Sequence, residues 1–247
     1  MTRLFTDVKL IKGENLSLSE DESRYLSQVL RMREGNIVTV VDSDLFEAEC
    51  EILSIEKKKV VLNIGDVREN KSESPCRITL FQSVSKGERM DLTIQKSTEL
   101  GVYAIAPVFS ERCVVRFNES DSSGKIDRWQ KIAEEAARQS GRGLVPKILP
   151  SLSFADAVKK ASSEFDLCLM PWEEEKGKTL KEMLKAFKAE KGKTVAVFIG
   201  PEGGYSEEEA KLASDSGIAS VTLGKRILRT ETAGPSVLSM LLYEFEL

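Results

Sequence analysis

Leu223-Gly224-Lys225-Arg226-Ile227-Leu228-Arg229-Thr230-Glu231-Thr232-Ala233, read together with Ile199-Gly200-Pro201-Glu202-Gly203-Gly204, decides how this chain is understood. Each stretch follows a short apolar or β-branched run, and each leads into a helical pattern. Two such loops can lie side by side at the C-terminal ends of neighbouring parallel strands, where open α/β sheets bind ligands. Function is therefore expected in the last quarter of the chain.

Working outward, strands and helices alternate. Residues 77–81, 103–109, 165–170, 194–199 and 220–223 read as short strands. Residues 87–100 (closed by Gly101), 125–140, 179–188, 206–216 and 232–245 read as helices. Trp129, Ile132, Ala133, Ala136 and Ala137 mark the apolar side of the second of these. The alternation predicts an α/β fold, a mostly parallel sheet with helices on both faces.

The N-terminal part has a different rhythm. Ser19-Glu20-Asp21-Glu22 is an S-x-x-E capping box, followed by a helical apolar stripe of Leu26, Val29 and Leu30. Gly35-Asn36 marks a turn. Residues 37–41, 46–52 and 60–64 then read as consecutive strands, the second alternating apolar and acidic residues. Short strands and tight turns predict a small β-barrel. Glu69-Asn70-Lys71-Ser72-Glu73-Ser74-Pro75 reads as a linker. The expected division is 1–72 and 73–247.

The 247 residues, 41% hydrophobic and 31% charged, describe an ordinary globular protein. The formal net charge is −4, so no whole-protein basic field draws in nucleic acid. Residues 77–147 nevertheless carry 12 Lys and Arg against 9 Asp and Glu, while residues 1–72 carry 11 against 14. This basic middle permits an RNA partner without requiring one. Cys50, Cys76, Cys113 and Cys168 lie too far apart in sequence for a metal-ligand pair, and histidine is absent. Neither a metal site nor disulfides are expected. The missing histidine also excludes Ser-His-Asp and Cys-His hydrolase chemistry. With no signal-like start and no long apolar run, the protein is expected to be cytoplasmic.

The glycine-rich loop does not resemble a phosphate cradle. No Lys-Ser/Thr follows its glycines, and the spacing is not G-x-G-x-x-G. The next helix opens Ser206-Glu207-Glu208-Glu209, placing three carboxylates where a phosphate would sit. A ligand without phosphate, carrying positive charge, fits better. S-adenosylmethionine, with its sulfonium and amino group, meets that requirement. In the second loop, Ile227 and Leu228 read equally as core packing or as the wall of an adenine pocket. Arg229 and Glu231 read on their own as a surface pair worth little.

Together these residues resemble the RsmE family, SPOUT-superfamily methyltransferases acting on uridine N3 in 16S ribosomal RNA of the small subunit. The resemblance covers essentially the whole chain. It is most specific at residues 199–204 and 223–233. It extends to Arg3-Leu4-Phe5, Val29-Leu30-Arg31-Met32-Arg33-Glu34-Gly35, Lys96-Ser97-Thr98-Glu99-Leu100-Gly101-Val102 and Glu134-Glu135-Ala136-Ala137-Arg138-Gln139-Ser140-Gly141-Arg142. Three departures stand out: Tyr25 where the family often has histidine, Cys113 where serine is usual, and Gly234-Pro235 in place of good helix formers. Proline suits a first helical turn, so the last helix is expected to start late.

The resemblance implies a PUA-like β-barrel for RNA binding, then a SPOUT domain with a trefoil knot, working as a homodimer. It implies an S-adenosylmethionine site at Leu169, Met170, Pro171, Ile199, Gly200, Pro201, Glu202, Gly203, Gly204, Leu223, Gly224, Ile227, Leu228, Arg229, Thr232 and Ala233. Methylation at N3 needs a cation near a uracil oxygen and an acceptor for the N3 proton. Arg229 is the candidate cation and Glu231 the candidate proton acceptor. RNA contacts are expected from Arg24, Arg31, Arg33, Lys86, Arg89, Lys96, Arg112, Arg116, Arg138 and Arg142. Two other readings stay open: a SPOUT methyltransferase acting on transfer RNA or at another position, and a non-catalytic RNA-binding assembly factor.

Overall fold

Strand β1 (Arg3–Thr6) runs parallel to β3 (Ile37–Asp42), and the rest of its sheet is antiparallel, in the order β1-β3-β4-β5-β2. Here β2 is Asn15–Ser17, β4 is Phe46–Glu56 and β5 is Lys59–Glu69. The computed structural model describes residues 2–56, 59–115, 119–188 and 190–246, with the backbone alone at 119–122. Two compact units emerge, Met1–Glu73 with Ala137–Leu144, and Ser74–Ala136 with Val145–Leu247.

In the first unit, inward residues of the sheet and of the following helix form one core that includes Leu4, Leu16, Leu26, Val38, Val40, Ile52 and Leu62. The acidic outer positions of β4 follow its period-2 alternation, as expected. Glu47 is the exception. It lies buried against Arg3 (3.0 Å), Arg68 (2.9 Å) and Asn70 (2.7 Å). Burial raises its carboxyl, but hydrogen bonds from Asn70, Arg68 and Arg3, with the charge of Arg3, outweigh this and hold the pKa below its ordinary value.

Helix α1 (Glu20–Arg24) starts on the expected capping box, Ser19 with Glu22. It then widens into a π-helical turn, Tyr25–Val29, where the Leu30 N–H reaches the Tyr25 carbonyl. The wider turn breaks the i, i+3, i+4 alignment. Leu26 is buried, but Val29 is 65% exposed and Leu30 38%, so the expected stripe does not form. Arg31, at φ 53°, ends the helix.

The expected linker is built structure. Asn70 caps Ser72, and the Glu73 carboxylate takes the Arg142 guanidinium at 2.5 Å and the Gly143 N–H at 2.8 Å. A Cβ on Gly143 would run into the Asn70 amide, so glycine is needed for the approach. These bonds explain why Ala137–Leu144, remote in sequence, belongs to the first unit. Arg142 is only 3% exposed, so it is an internal counter-charge rather than the RNA contact expected of it.

The second unit is a parallel sheet in the order β12-β10-β11-β6-β7-β8, with β9 also pairing β7. Its strands are β6 (Arg77–Ser83), β7 (Ala104–Phe109), β8 (Lys147–Ile148), β9 (Leu152–Ser153), β10 (Leu167–Pro171), β11 (Thr194–Ile199) and β12 (Ala219–Val221). Side chains alternate between two cores, one on each face. Ile78, Leu80, Leu169 and Val197 pack on one side, and Phe81, Cys168, Met170 and Phe198 on the other. Phe81 and Phe198 stack at 4.6 Å between centroids.

The first core is completed from α2 (Glu88–Glu99), α3 (Glu119–Ser140), α5 (Leu180–Ala186) and α7 (Thr230–Glu246). The second is completed from α6 (Glu207–Asp215) and α4 (Phe154–Glu164), a helix the sequence reading did not assign. Ser153 caps α4 through the Asp156 N–H, and Phe154, Ala157, Val158 and Ala161 are buried on one face. The last helix does not start late. It begins at Thr230, which puts Pro235 inside it and removes the N–H that would have met the Glu231 carbonyl. No helix among the described residues is long and apolar enough to cross a membrane.

Two stability outcomes follow. Arg142→Ala leaves Glu73 buried without a counter-charge and should cost about 3–5 kcal/mol in chemical denaturation; a loss under about 1 kcal/mol would contradict the buried-pair reading. The contribution of Glu47 is complete above the ordinary glutamate range, about pH 4–5. It falls away as the pH drops through the lowered native value. Glu47→Gln should therefore flatten the acid limb of the stability–pH curve.

Candidate functional site

The loops after β10, β11 and β12 open at one end of the sheet and line a single cleft. The two loops singled out in the sequence do not follow adjacent strands, because β10 lies between β11 and β12. Its own loop, Pro171 to Glu173, therefore supplies the middle of the cleft. The cleft encloses roughly 720 Å³ of empty space, its open mouth included.

The loop after β11 contributes Ile199, Gly200, Pro201, Gly204 and Tyr205. Gly204 adopts φ 68°, which glycine takes at the least cost, and a Cβ there would push the Glu173 carboxylate aside. Ser206 caps α6 with Glu209 as its capping-box partner, as the sequence indicated, and Glu207 and Glu208 stand exposed in the same turn. The loop after β12 contributes Thr222, Leu223, Gly224, Lys225, Arg226, Ile227 and Leu228. Thr222 Oγ1 accepts from the Gly224 N–H at 3.2 Å and fixes that turn. Ile227, 84% exposed, and Leu228 line the cleft and lie outside the core, so the core-packing reading does not hold.

One hydroxyl joins these pieces. Thr230 Oγ1 donates to the Gly200 carbonyl at 2.6 Å and accepts from Gln82 Nε2 at 2.9 Å. A hydroxyl has one proton, so Gln82 must present its NH2 side here. Gln82 is fully buried on β6, and its amide also reaches the Ser83 carbonyl at 3.1 Å. Gly234, one turn along α7, sits where a Cβ would come within 3.3 Å of Leu80 and 3.4 Å of Gln82. Thus β6, the β11 loop and the start of α7 are pinned together at the floor of the cleft.

A second cleft continues from the first, sharing Glu173, Pro201, Gly204, Ile227, Leu228 and Thr230. It adds Arg89, Glu202, Arg229 and Glu231. Arg89 Nη1 donates to Glu202 Oε1 at 2.7 Å, and the Lys86 N–H reaches the same oxygen at 3.1 Å. Burial opposes the Glu202 charge, but its own N–H, the Lys86 N–H and Arg89 hold its pKa below the ordinary value. Glu231 lies 3.8 Å from Arg89 and 4.0 Å from Arg229, and its Oε2 is buried with no hydrogen-bond partner among the described residues. Buried Tyr205 is pushed well above the usual phenol range by its burial, so it stays protonated.

Several expected site residues lie elsewhere. Leu169 and Met170 are fully buried, one in each core, because strand alternation turns them to opposite faces. Gly203 lines neither cleft; its carbonyl accepts from Arg112 at 3.0 Å. Thr232 is exposed on α7, also outside both clefts. Glu202 and Arg229 line the second cleft rather than the first. Pro171, Ile199, Gly200, Pro201, Gly204, Leu223, Gly224, Ile227, Leu228 and Ala233 do line the first. The sequence reading missed Gln82, Trp172, Glu173, Tyr205, Thr222 and Thr230. A polar residue following an apolar strand was the available signal for Gln82.

Among the expected RNA contacts, Arg24, Arg31 and Arg33 are exposed on the first unit, and Arg24 faces Glu20 at 3.4 Å. Lys86 and Arg112 are exposed beside the β11 loop. Lys96 pairs with Glu99 at the far end of α2. Arg138 lies over the Tyr25 ring at 5.2 Å, which gives that unusual tyrosine a partner. Arg116 lies outside the described residues. Cys113 is buried 3.2 Å from Ser110 Oγ.

Thr230→Val should take this donor from the Gly200 carbonyl and one of two acceptors from the Gln82 amide, costing about 1–3 kcal/mol in thermal or chemical unfolding. Thr230→Ser should restore most of it. Equal stability of the two variants would remove the hydroxyl from its bridging role.

The family described as RNA methyltransferase domain matches residues 72–242, and that described as RNA methyltransferase PUA domain matches residues 18–65. Ribosomal RNA small subunit methyltransferase E of Bacillus subtilis (strain 168) is 33% identical over 255 residues, covering 100% of this chain and 98% of that protein. A crystal structure of ribosomal RNA small subunit methyltransferase E from Neisseria gonorrhoeae, bound to S-adenosyl methionine, is similar with a TM-score of 0.86 and 36% identity, over 98% of this chain and 97% of that one. A methyltransferase from Legionella pneumophila in complex with SAM gives 0.87 and 35%, over 98% and 97%. Built on the fold and the looped cleft just described, the chain belongs to the RNA methyltransferase family of ribosomal RNA small subunit methyltransferase E.

Proposed function

We propose that the first cleft binds S-adenosylmethionine and that the second presents a uridine of 16S ribosomal RNA for methylation at N3. The observation that carries this reading is the continuity of the two clefts. One is walled by glycine turns and the apolar Ile199, Leu223, Leu228 and Ala233; the other holds two arginines around the Glu231 carboxylate. The residues present suit the donor. Trp172 Nε1 is buried at the first cleft with no partner among the described residues, a free donor for a polar ligand group. Glu173 faces both clefts and attracts a cation.

Bound there, the donor supplies an electrophilic methyl group on a sulfonium. The chain's own residues do the rest. The two clefts align donor and acceptor. Arg229 stabilises negative charge on a uracil carbonyl oxygen as N3 becomes nucleophilic. Glu231 accepts the N3 proton, so that N3 gains a methyl and loses a hydrogen. The exposed Arg24, Arg31 and Arg33, with Lys86 and Arg112, hold RNA phosphates. The protein works in the cytoplasm as a homodimer with its last segment threaded as a trefoil knot. The exposure of Ile227 and Arg229 (80%) supports closure of the cleft by a second copy.

Small subunits or their RNA treated with the protein and a labelled donor should yield N3-methyluridine on nucleoside analysis. Label at another nucleoside, or none, would contradict the assignment. Arg229→Ala should lower kcat by about 10²–10³-fold. RNA affinity should fall steeply with salt, each phosphate contact adding about −0.7 to −0.9 to the log–log slope; a flat response would exclude the basic residues named.

A further inference from the structure

Glu231 accepts no hydrogen bond among the described residues, although two guanidinium groups stand beside it. Arg89 Nε is 3.8 Å and Arg229 Nη1 4.0 Å from the same oxygen, Oε1. Arginine and carboxylate normally close into direct, often bidentate, hydrogen bonds. Here Arg89 is held back. It rises from the first turn of α2, and Glu202 fixes its Nη1 at 2.7 Å while the Lys86 N–H fixes Glu202 in turn. Arg89 and Arg229 thus flank Glu231 in the second cleft as ion-pair partners, with no hydrogen bond to it among the described residues.

We propose that Arg89 is the second cation of the acceptor cleft and hydrogen-bonds one carbonyl of the base, so that Arg89, Glu231 and Arg229 together read the imide edge of uracil. The inference rests on the methyl-transfer reading above. It adds how the site would tell its base from the other pyrimidine. Uracil offers O2, N3–H and O4, which is acceptor, donor, acceptor. Cytosine offers O2, a bare N3 and an amino group. Its N3 lone pair would face the Glu231 carboxylate, and its amino group would face a guanidinium. Two buried mismatches of that kind are strongly rejecting, since polar groups built to be met are left unmet. Glu202 is a positioning residue in this scheme, keeping Arg89 from collapsing onto Glu231.

The test pairs protein changes with changes of single substrate atoms. Wild type and Arg89→Ala are compared on ribosomal RNA carrying uridine, 2-thiouridine or 4-thiouridine at the methylated position, with N3-methylation measured for each. Sulfur is a poorer hydrogen-bond acceptor than oxygen. Wild type should lose at least tenfold in kcat/KM on one of the two thio substrates. Arg89→Ala should lose about 10²–10³-fold on uridine but be indifferent to that same thio substitution. Donor affinity by calorimetry should be unchanged, because Arg89 lies outside the first cleft. Glu202→Gln should keep the thio sensitivity at reduced rate, and Arg89→Lys should recover part of the activity. Equal thio penalties in wild type and Arg89→Ala, or undiminished turnover by Arg89→Ala, would overturn the role of Arg89. Wild type that makes no N3-methyluridine would instead defeat the methyl-transfer reading, and this inference with it.

Discussion

The Thr230 hydroxyl is the joint on which the cleft depends. It spends its one proton on the Gly200 carbonyl and its lone pair on the Gln82 amide. The hydroxyl and its two partners sit on three separate segments: the start of α7, the loop after β11 and the central strand β6. Without the hydroxyl, the partly buried Gly200 carbonyl loses this partner and the buried Gln82 amide keeps only the Ser83 carbonyl, and a buried polar group left unmet costs more than a hydrogen bond contributes when made. The adjoining glycines serve the same end. Gly204 makes room for Glu173, and Gly234 lets α7 close on Leu80 and Gln82.

From that joint the chemistry follows by proximity. Glu231 comes immediately after Thr230, so fixing the threonine fixes the carboxylate at the rim of the second cleft. Glu202 lies two residues after Gly200, so the same bond sets the residue that restrains Arg89. Pro235 fits this arrangement. The carbonyl it leaves without a helical partner belongs to Glu231 itself.

The parallel sheet, most of its strands and β3, β4 and β5 of the first unit were legible in the sequence because their apolar periodicities are strong, whereas the short β1 and β2 were not read. The two cleft loops were legible because glycine and capping chemistry leave plain marks. What escaped was set by packing. Leu169 and Met170 looked like site residues, but alternation along β10 buries them in opposite cores. Val29 and Leu30 looked buried, but a π-helical turn carries them outward. Arg142 looked like one more surface cation, yet Glu73, 69 positions earlier, draws it inside. Gln82 carries only the weak mark of a polar residue after an apolar run and Thr230 carries none, because their importance exists only once strand and loops have met.

The central claim is that the cleft pinned by Thr230 receives a cationic methyl donor beside Glu231. A crystal structure after soaking with S-adenosylmethionine tests it most directly. The account predicts the donor against Ile199, Gly200, Leu223 and Leu228, with its methyl group directed toward the cleft that holds Arg89, Arg229 and Glu231. A donor bound elsewhere, or that cleft filled by a nucleoside triphosphate in competition with it, would contradict the account.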